Sequence, residues 1–156
     1  MTDTQPVRKT NGRIRIRIGL GATILGFLIY LLGAEPGLFH LDRSPVVGFV
    51  QIATLLAGLG IICLGGYISL AALWNGGQKT IASDIGLRMV STGYVISVAS
   101  GMADVFGFGS NIYPAIPKFG IYQQIGVLLG EAVIAIGLLL LIPYKIPQPN
   151  IGEILS

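Results

Sequence analysis

The sequence predicts an all-α integral membrane protein, in which four transmembrane helices form a compact, glycine-rich bundle within a single domain. Apolar residues make up 53% of the 156 residues and charged residues only 11%, against about 25% charged residues in soluble domains. The mean hydropathy of +0.77 leaves too little polar surface to cover a soluble protein of this size. A water-soluble domain and a disordered chain are therefore both excluded.

The apolar residues are concentrated in runs long enough to cross a bilayer, which takes about 20 residues. The predicted spans cover residues 14–33, 46–74, 85–106 and 121–142. Pro36 and Gly37 interrupt the chain after the first span, and Ser83 with Asp84 provides a capping signal for the third. Because the second span is longer than a bilayer requires, we expect it to be tilted or to project beyond the bilayer.

Lys and Arg residues lie mainly on one side of this predicted arrangement. If the N-terminus is cytoplasmic, the cytoplasmic side carries Arg8, Lys9, Arg13, Arg15, Arg17, Lys79, Arg88 and Lys145. The opposite side carries only Arg43 and Lys118. The positive-inside rule then predicts two cytoplasmic termini, a basic tail (1–13) and a Pro-rich tail (143–156). We expect a multi-pass protein of a bacterial-type plasma (inner) membrane.

The first span has an alternative interpretation as a cleaved signal peptide. Basic residues precede it, and Leu32-Gly33-Ala34 resembles a weak cleavage site. Its apolar run is long for a signal peptide, so we favour a retained helix.

Glycine spacing within the spans predicts close helix packing. The chain contains 23 glycines, and several recur every seven residues, which returns them to nearly the same helix face. In lipid, small residues stabilise helix association because they let backbones approach closely. The residues that we predict to pack helices are Gly19, Gly26, Gly93, Gly126, Gly130 and Gly137.

The start of the first span resembles the start of the third. Residues 18–20 and Gly26 in the first span match residues 85–87 and Gly93 in the third, in type and spacing. Two interpretations stay open: a pair of fused helical hairpins, or chance.

Polar residues at membrane depth are costly and are therefore the best functional candidates. The candidate intramembrane polar site consists of Glu131, Gln124, Asp104, Ser97, Ser100 and Arg88. Glu131 lies near the bilayer centre, about 120° around its helix from the face formed by Gly126, Gly130 and Gly137. Gln124, seven residues earlier, lies on the same side of the helix as Glu131. We expect the Glu131 carboxyl group to be protonated, paired or next to water. Either these residues make separate structural contacts, which we favour, or they line a polar path for protons or a small solute.

No catalytic or cofactor-binding constellation is evident in the sequence. Cys63 is the only cysteine, which excludes a disulfide within the chain and a cysteine-based metal site. We therefore predict a non-catalytic membrane protein without a cofactor or metal, acting as a structural, accessory or assembly subunit. Its expected partners are the lipid bilayer and either copies of itself or a larger membrane complex, and not nucleic acid.

Two alternative functions remain open. The first is a small oligomeric transporter or channel with Glu131 as its central titratable group. The second is a membrane enzyme acting on lipid or quinone, which would need Glu35, His40 and Asp42 of the first external loop.

Overall fold

The computed structural model describes residues 10–39, 48–74, 77, 79–108 and 119–144. Within these residues the chain forms four α-helices: α1 (Thr10–Ala34), α2 (Phe49–Leu73), α3 (Ile81–Gly101) and α4 (Ile121–Leu140). A short 3₁₀ helix at Pro36–Phe39 follows α1. Helices α1, α2 and α4 are long and apolar enough to cross a membrane. The prediction of an all-helical chain with membrane-length apolar helices is confirmed for these three.

Helix α3 differs most from its predicted span, because it starts and ends earlier. Its N-cap is Thr80, whose hydroxyl accepts a hydrogen bond of 3.3 Å from the Ser83 N–H. Ser83, which the sequence suggested as the cap, instead lies buried in the first turn. The helix ends at Gly101, and a turn continues to Gly107, whose φ of +79° favours glycine. Asp104 therefore lies in this turn and not in the helix.

The four helices are arranged as two hairpins. Helix α1 packs along α2, and α3 packs along α4, while α2 joins the two hairpins by approaching both α3 and α4. Among the described residues, no Cα atom of α1 lies within 8 Å of a Cα atom of α3 or α4. The buried residues that connect the hairpins are Leu59, Cys63, Val90, Ile134 and Leu141.

Glycines bring the backbones of the first hairpin into direct contact. A Cβ atom on Gly26 would lie 2.9 Å from the carbonyl oxygen of Gly58, and one on Gly58 would lie 2.8 Å from the carbonyl oxygen of Gly26. Gly19 and Gly65 are related in the same way, at 2.8 and 2.7 Å. No larger residue fits at these positions without separating the helices, since such contacts are normally about 3.3–3.6 Å.

The second hairpin repeats this arrangement. Gly93 faces Gly130, and each would place a Cβ atom 2.6 Å from the carbonyl oxygen of the other. Gly86 faces Gly137 at 2.6 and 2.7 Å. In both hairpins the paired glycines are seven residues apart on each helix, so the two antiparallel registers match.

Candidate functional site

Glu131 of α4 is hydrogen-bonded to a helix of the other hairpin. Its Oε1 atom accepts a hydrogen bond of 2.8 Å from the hydroxyl of Tyr30 in α1. Both side chains are partly buried. Sequence reasoning did not single out Tyr30 as a hydrogen-bond partner of Glu131. The available signal was a hydroxyl-bearing side chain inside an otherwise apolar span.

The register of the helices explains why Tyr30 reaches Glu131. Gly58 of α2 packs on the backbone of Tyr30, where its Cβ position is 2.6 Å from the Tyr30 Cα. Eight residues further along α2, the Cβ position of Gly66 is 3.1 Å from Leu138 Cδ2 of α4. Counting back eight residues from Leu138 in the parallel helix α4 gives residue 130, so Tyr30 and Glu131 lie at the same depth.

A second tyrosine crosses between the hairpins in the opposite sense. The hydroxyl of Tyr94 in α3 donates to the carbonyl oxygen of Leu56 in α2 over 3.4 Å. It also lies 2.8 Å from the Cβ position of Gly60, which leaves room for it. The first helix of each hairpin thus sends a tyrosine hydroxyl to the second helix of the other.

Ser97 and Ser100 face the partner helix of their own hairpin. Ser97 is fully buried, and its hydroxyl lies 3.1 Å from the carbonyl oxygen of Gly93 and 3.4 Å from that of Val127. The Ser100 side chain fills the space left by Gly126 on α4. Both side chains therefore fill the α3–α4 contact, and the Ser97 hydroxyl is directed to backbone carbonyls.

The remaining predicted residues lie apart from Glu131. Gln124 is exposed, and its Nε2 donates to the carbonyl oxygen of Phe119 over 3.4 Å. Arg88 is exposed on α3. Asp104 is partly buried, and its Oδ1 atom is buried without a hydrogen-bond partner. The contacts therefore bring Glu131 together with Tyr30, and place Ser97 and Ser100 in a separate interface.

Gln123 is a buried polar residue that the sequence analysis did not single out. Its side chain is 5% exposed, and its Oε1 accepts a hydrogen bond of 2.7 Å from the Gly120 N–H at the start of α4. The adjacent Gln124 was chosen because it shares a stripe with Glu131. The useful signal was the position three residues after a helix start, where glutamine caps the backbone.

Of the three external-loop residues considered for catalysis from the sequence, one lies within the described residues. Glu35 is exposed at the end of α1, whereas His40 and Asp42 lie outside the described residues. Across the described ranges, no group of three or more His, Cys, Asp or Glu side chains is arranged to hold a metal ion.

Comparison of the chain with protein-family models, with curated protein sequences and with solved structures finds no match. The class of protein therefore rests on the helices and contacts described above: an all-helical chain with at least three apolar helices of membrane length.

Proposed function

We propose that the protein is a non-catalytic integral membrane protein that crosses the plasma (inner) membrane four times and serves as a structural, accessory or assembly subunit. The observation that carries this proposal is how the intramembrane polar groups are used. The hydroxyls of Ser97 and Tyr94 bind backbone carbonyls, and Tyr30 binds Glu131. These groups join helices, as expected for a scaffold.

The fourth crossing is supported by the way α3 follows α4. Helix α3, unlike α1, α2 and α4, lacks a sufficiently apolar stretch of membrane length, because Asp84, Arg88 and several serines lie along it. It nevertheless contacts α4 near both ends and in the middle, at Gly86, Gly93 and Ser100. Its 21 residues extend about 31 Å, which matches the hydrocarbon thickness. A helix that follows α4 over this length crosses the same layer.

Both termini are proposed to be cytoplasmic because the basic residues gather at one end of the hairpins. Helix α1 starts beside the end of α2, where Gly19 meets Ser69. The ends of α2 and α4 are joined by a hydrogen bond of 3.0 Å from Trp74 Nε1 to the Leu141 carbonyl oxygen. Arg13, Arg15, Arg17, Lys79 and Arg88 are exposed toward this same end, which the positive-inside rule assigns to the cytoplasm.

A pair of single-cysteine variants tests the crossing of α3 directly. In a Cys63→Ala background, Ile81→Cys lies at the start of α3 and Phe108→Cys lies beyond its end, at positions 81% and 86% exposed. A membrane-impermeant maleimide should label Phe108→Cys in intact spheroplasts and Ile81→Cys only in inverted vesicles. Labelling of both variants from the same side would refute the fourth crossing.

The subunit role requires a companion protein in native membranes. Extraction in a mild detergent, followed by sizing and mass spectrometry, should return a larger complex with a companion in fixed stoichiometry. A Glu131→Gln variant serves as a control, because a structural contact tolerates an amide that still accepts the Tyr30 hydrogen bond. A homo-oligomer or monomer without companions would contradict the subunit role. If the protein instead supports solute flux in proteoliposomes, and Glu131→Gln abolishes that flux, a transport function would replace the proposed subunit role.

A further inference from the structure

Helices α1 and α4 belong to different hairpins, and the space between them is called the α1–α4 cleft below. In the described part of the chain their Cα atoms stay more than 8 Å apart, while α2 approaches α3 and α4 more closely. The hydrogen bond from the Tyr30 hydroxyl to Glu131 Oε1 crosses this cleft. Helices α1 and α4 are therefore joined by a side-chain contact. The two helices within each hairpin are instead joined by close backbone packing.

Glu131 is only partly buried beside this cleft. A carboxylate can accept about four hydrogen bonds, and among the described residues Tyr30 supplies one. The neighbouring α4 residues Leu128, Ala132 and Ala135 are exposed and apolar. Glu131 is residue 11 of the 20 residues of α4, so in the proposed topology this exposed surface faces lipid.

Among the described residues, no lysine or arginine forms an ion pair with Glu131, whose hydrogen-bond partner is Tyr30. The titratable groups at the hairpin interface are Tyr30 of α1, Cys63 and Tyr67 of α2, and Tyr94 of α3. Lys79 Nζ lies 5.7 Å from the centre of the Tyr67 ring, near the level of Leu138 and so about 10 Å along α4 from Glu131. The arginines at 13, 15 and 17 precede Tyr30 by 13 or more residues, which is about 20 Å along the helix. Arg88 of α3 is exposed. The side chain that binds Glu131 is Tyr30 of α1 and not Arg88.

From this geometry we infer that Glu131 is a proton-binding site open to lipid in the α1–α4 cleft, and that Tyr30 is its positioning residue. An unpaired carboxylate in lipid is costly, whereas the neutral acid is not. The Tyr30 hydroxyl can donate to the ionised group or accept from the protonated group. The hairpins therefore stay bridged while the proton binds and leaves. This inference is independent of the proposed subunit role.

Labelling with dicyclohexylcarbodiimide, an apolar reagent that partitions into lipid, tests the site. The carboxylic acid adds across one C=N bond: its oxygen bonds to the central carbon, and its proton moves to nitrogen. The resulting O-acylisourea rearranges to a stable N-acylurea, so the modified peptide gains the full mass of the reagent. In native membranes the peptide containing Glu131 should carry this adduct, and its yield should fall as the pH is raised.

Matched variants make each outcome decisive. Glu131→Gln should abolish the adduct, and Asp104→Asn should leave it unchanged. Ala135→Glu in the Glu131→Gln background places a carboxyl one turn away on the exposed face of α4, so its labelling reports whether the reagent reaches this depth. If this control reacts while wild-type Glu131 does not, the inference is wrong.

The role of Tyr30 has its own readout. The phenol hydroxyl bonds the ionised carboxylate more strongly than the neutral acid, so Tyr30→Phe should speed labelling at neutral pH by about fivefold, the factor by which a hydrogen bond to a charged group typically exceeds one between neutral groups. Tyr122→Phe is the control, because Tyr122 is 80% exposed on α4. An unchanged rate in Tyr30→Phe would exclude Tyr30 as a positioning residue. If that variant fails to fold, a pH-independent yield in the wild type would overturn the inference.

Discussion

Replacing Gly130 by alanine should weaken the second hairpin, although alanine is the better helix former. A Cβ atom at this position would lie 2.6 Å from the Gly93 carbonyl oxygen and 2.8 Å from the Ser97 backbone nitrogen, and it would also overlap the Ser97 hydroxyl. Carbon–oxygen contacts are normally at least about 3.3 Å. The helices must therefore separate by about 0.7 Å, because backbone atoms on α3 cannot move aside alone.

The magnitude follows from two opposing effects. Overpacking a close contact costs about 1–3 kcal/mol, and replacing glycine by alanine in a helix returns up to about 1 kcal/mol. The expected net loss in the free energy of unfolding is therefore about 0–2 kcal/mol relative to the wild type, and about 1–3 kcal/mol relative to an alanine that meets no clash. Gly21→Ala on α1 is the matched control, because a Cβ atom at Gly21 meets no atom within 4 Å. That variant should retain wild-type stability or exceed it.

Unfolding in mixed micelles of a mild detergent and increasing dodecyl sulfate provides the assay. Trp74 fluorescence reports the transition, because its indole binds the Leu141 carbonyl at the end of α4. The double variant with Gly93→Ala should lose less than the sum of the two single variants, since one separation relieves both clashes. A Gly130→Ala protein as stable as Gly21→Ala would refute the close-packing argument.

Three further predictions address single contacts. Trp74→Phe should lower the free energy of unfolding by about 1 kcal/mol through loss of the hydrogen bond to Leu141, measured by circular dichroism in the same micelles. Ser83→Ala should be neutral or stabilising, because the Ser83 hydroxyl is buried without a partner; a loss above about 1 kcal/mol would contradict this. Cys63 is 8% exposed and should react with a membrane-permeant maleimide only after unfolding. As a control, Val50→Cys in a Cys63→Ala background should react in the folded protein, because position 50 is 75% exposed.

The helices could be predicted from sequence because membrane length and apolar composition are local properties. The start of α3 could not be predicted in this way, because threonine and serine are both good N-cap residues. The structure uses the Thr80 hydroxyl as the cap and buries the Ser83 hydroxyl without a partner. The turn containing Asp104 was placed in the span because its neighbours are apolar. The helix has already ended at Met102, whose φ of −98° and ψ of 12° lie outside the helical range, and Gly107 with its positive φ follows five residues later.

The site was harder to predict because it depends on the register between helices. Glu131 could be chosen by depth, but its partner Tyr30 is 101 residues away and belongs to the other hairpin. Similarly, the choice between Gln123 and Gln124 depends on which face of α4 meets α3. The resemblance between the two halves recurs in structure, because the Gly26–Gly58 contact and the Gly93–Gly130 contact have the same geometry.

The unequal apolar character of α3 and α4 has a consequence for biosynthesis. In the proposed topology α3 carries Asp84 and Arg88, and charged residues oppose release of a lone helix into the bilayer by up to about 3 kcal/mol each. The strongly apolar α4 emerges from the ribosome later and supplies the glycine face on which α3 packs. We therefore expect the insertion machinery to retain α3 until α4 arrives and then release the two together. The second half of the chain would enter the membrane as one unit.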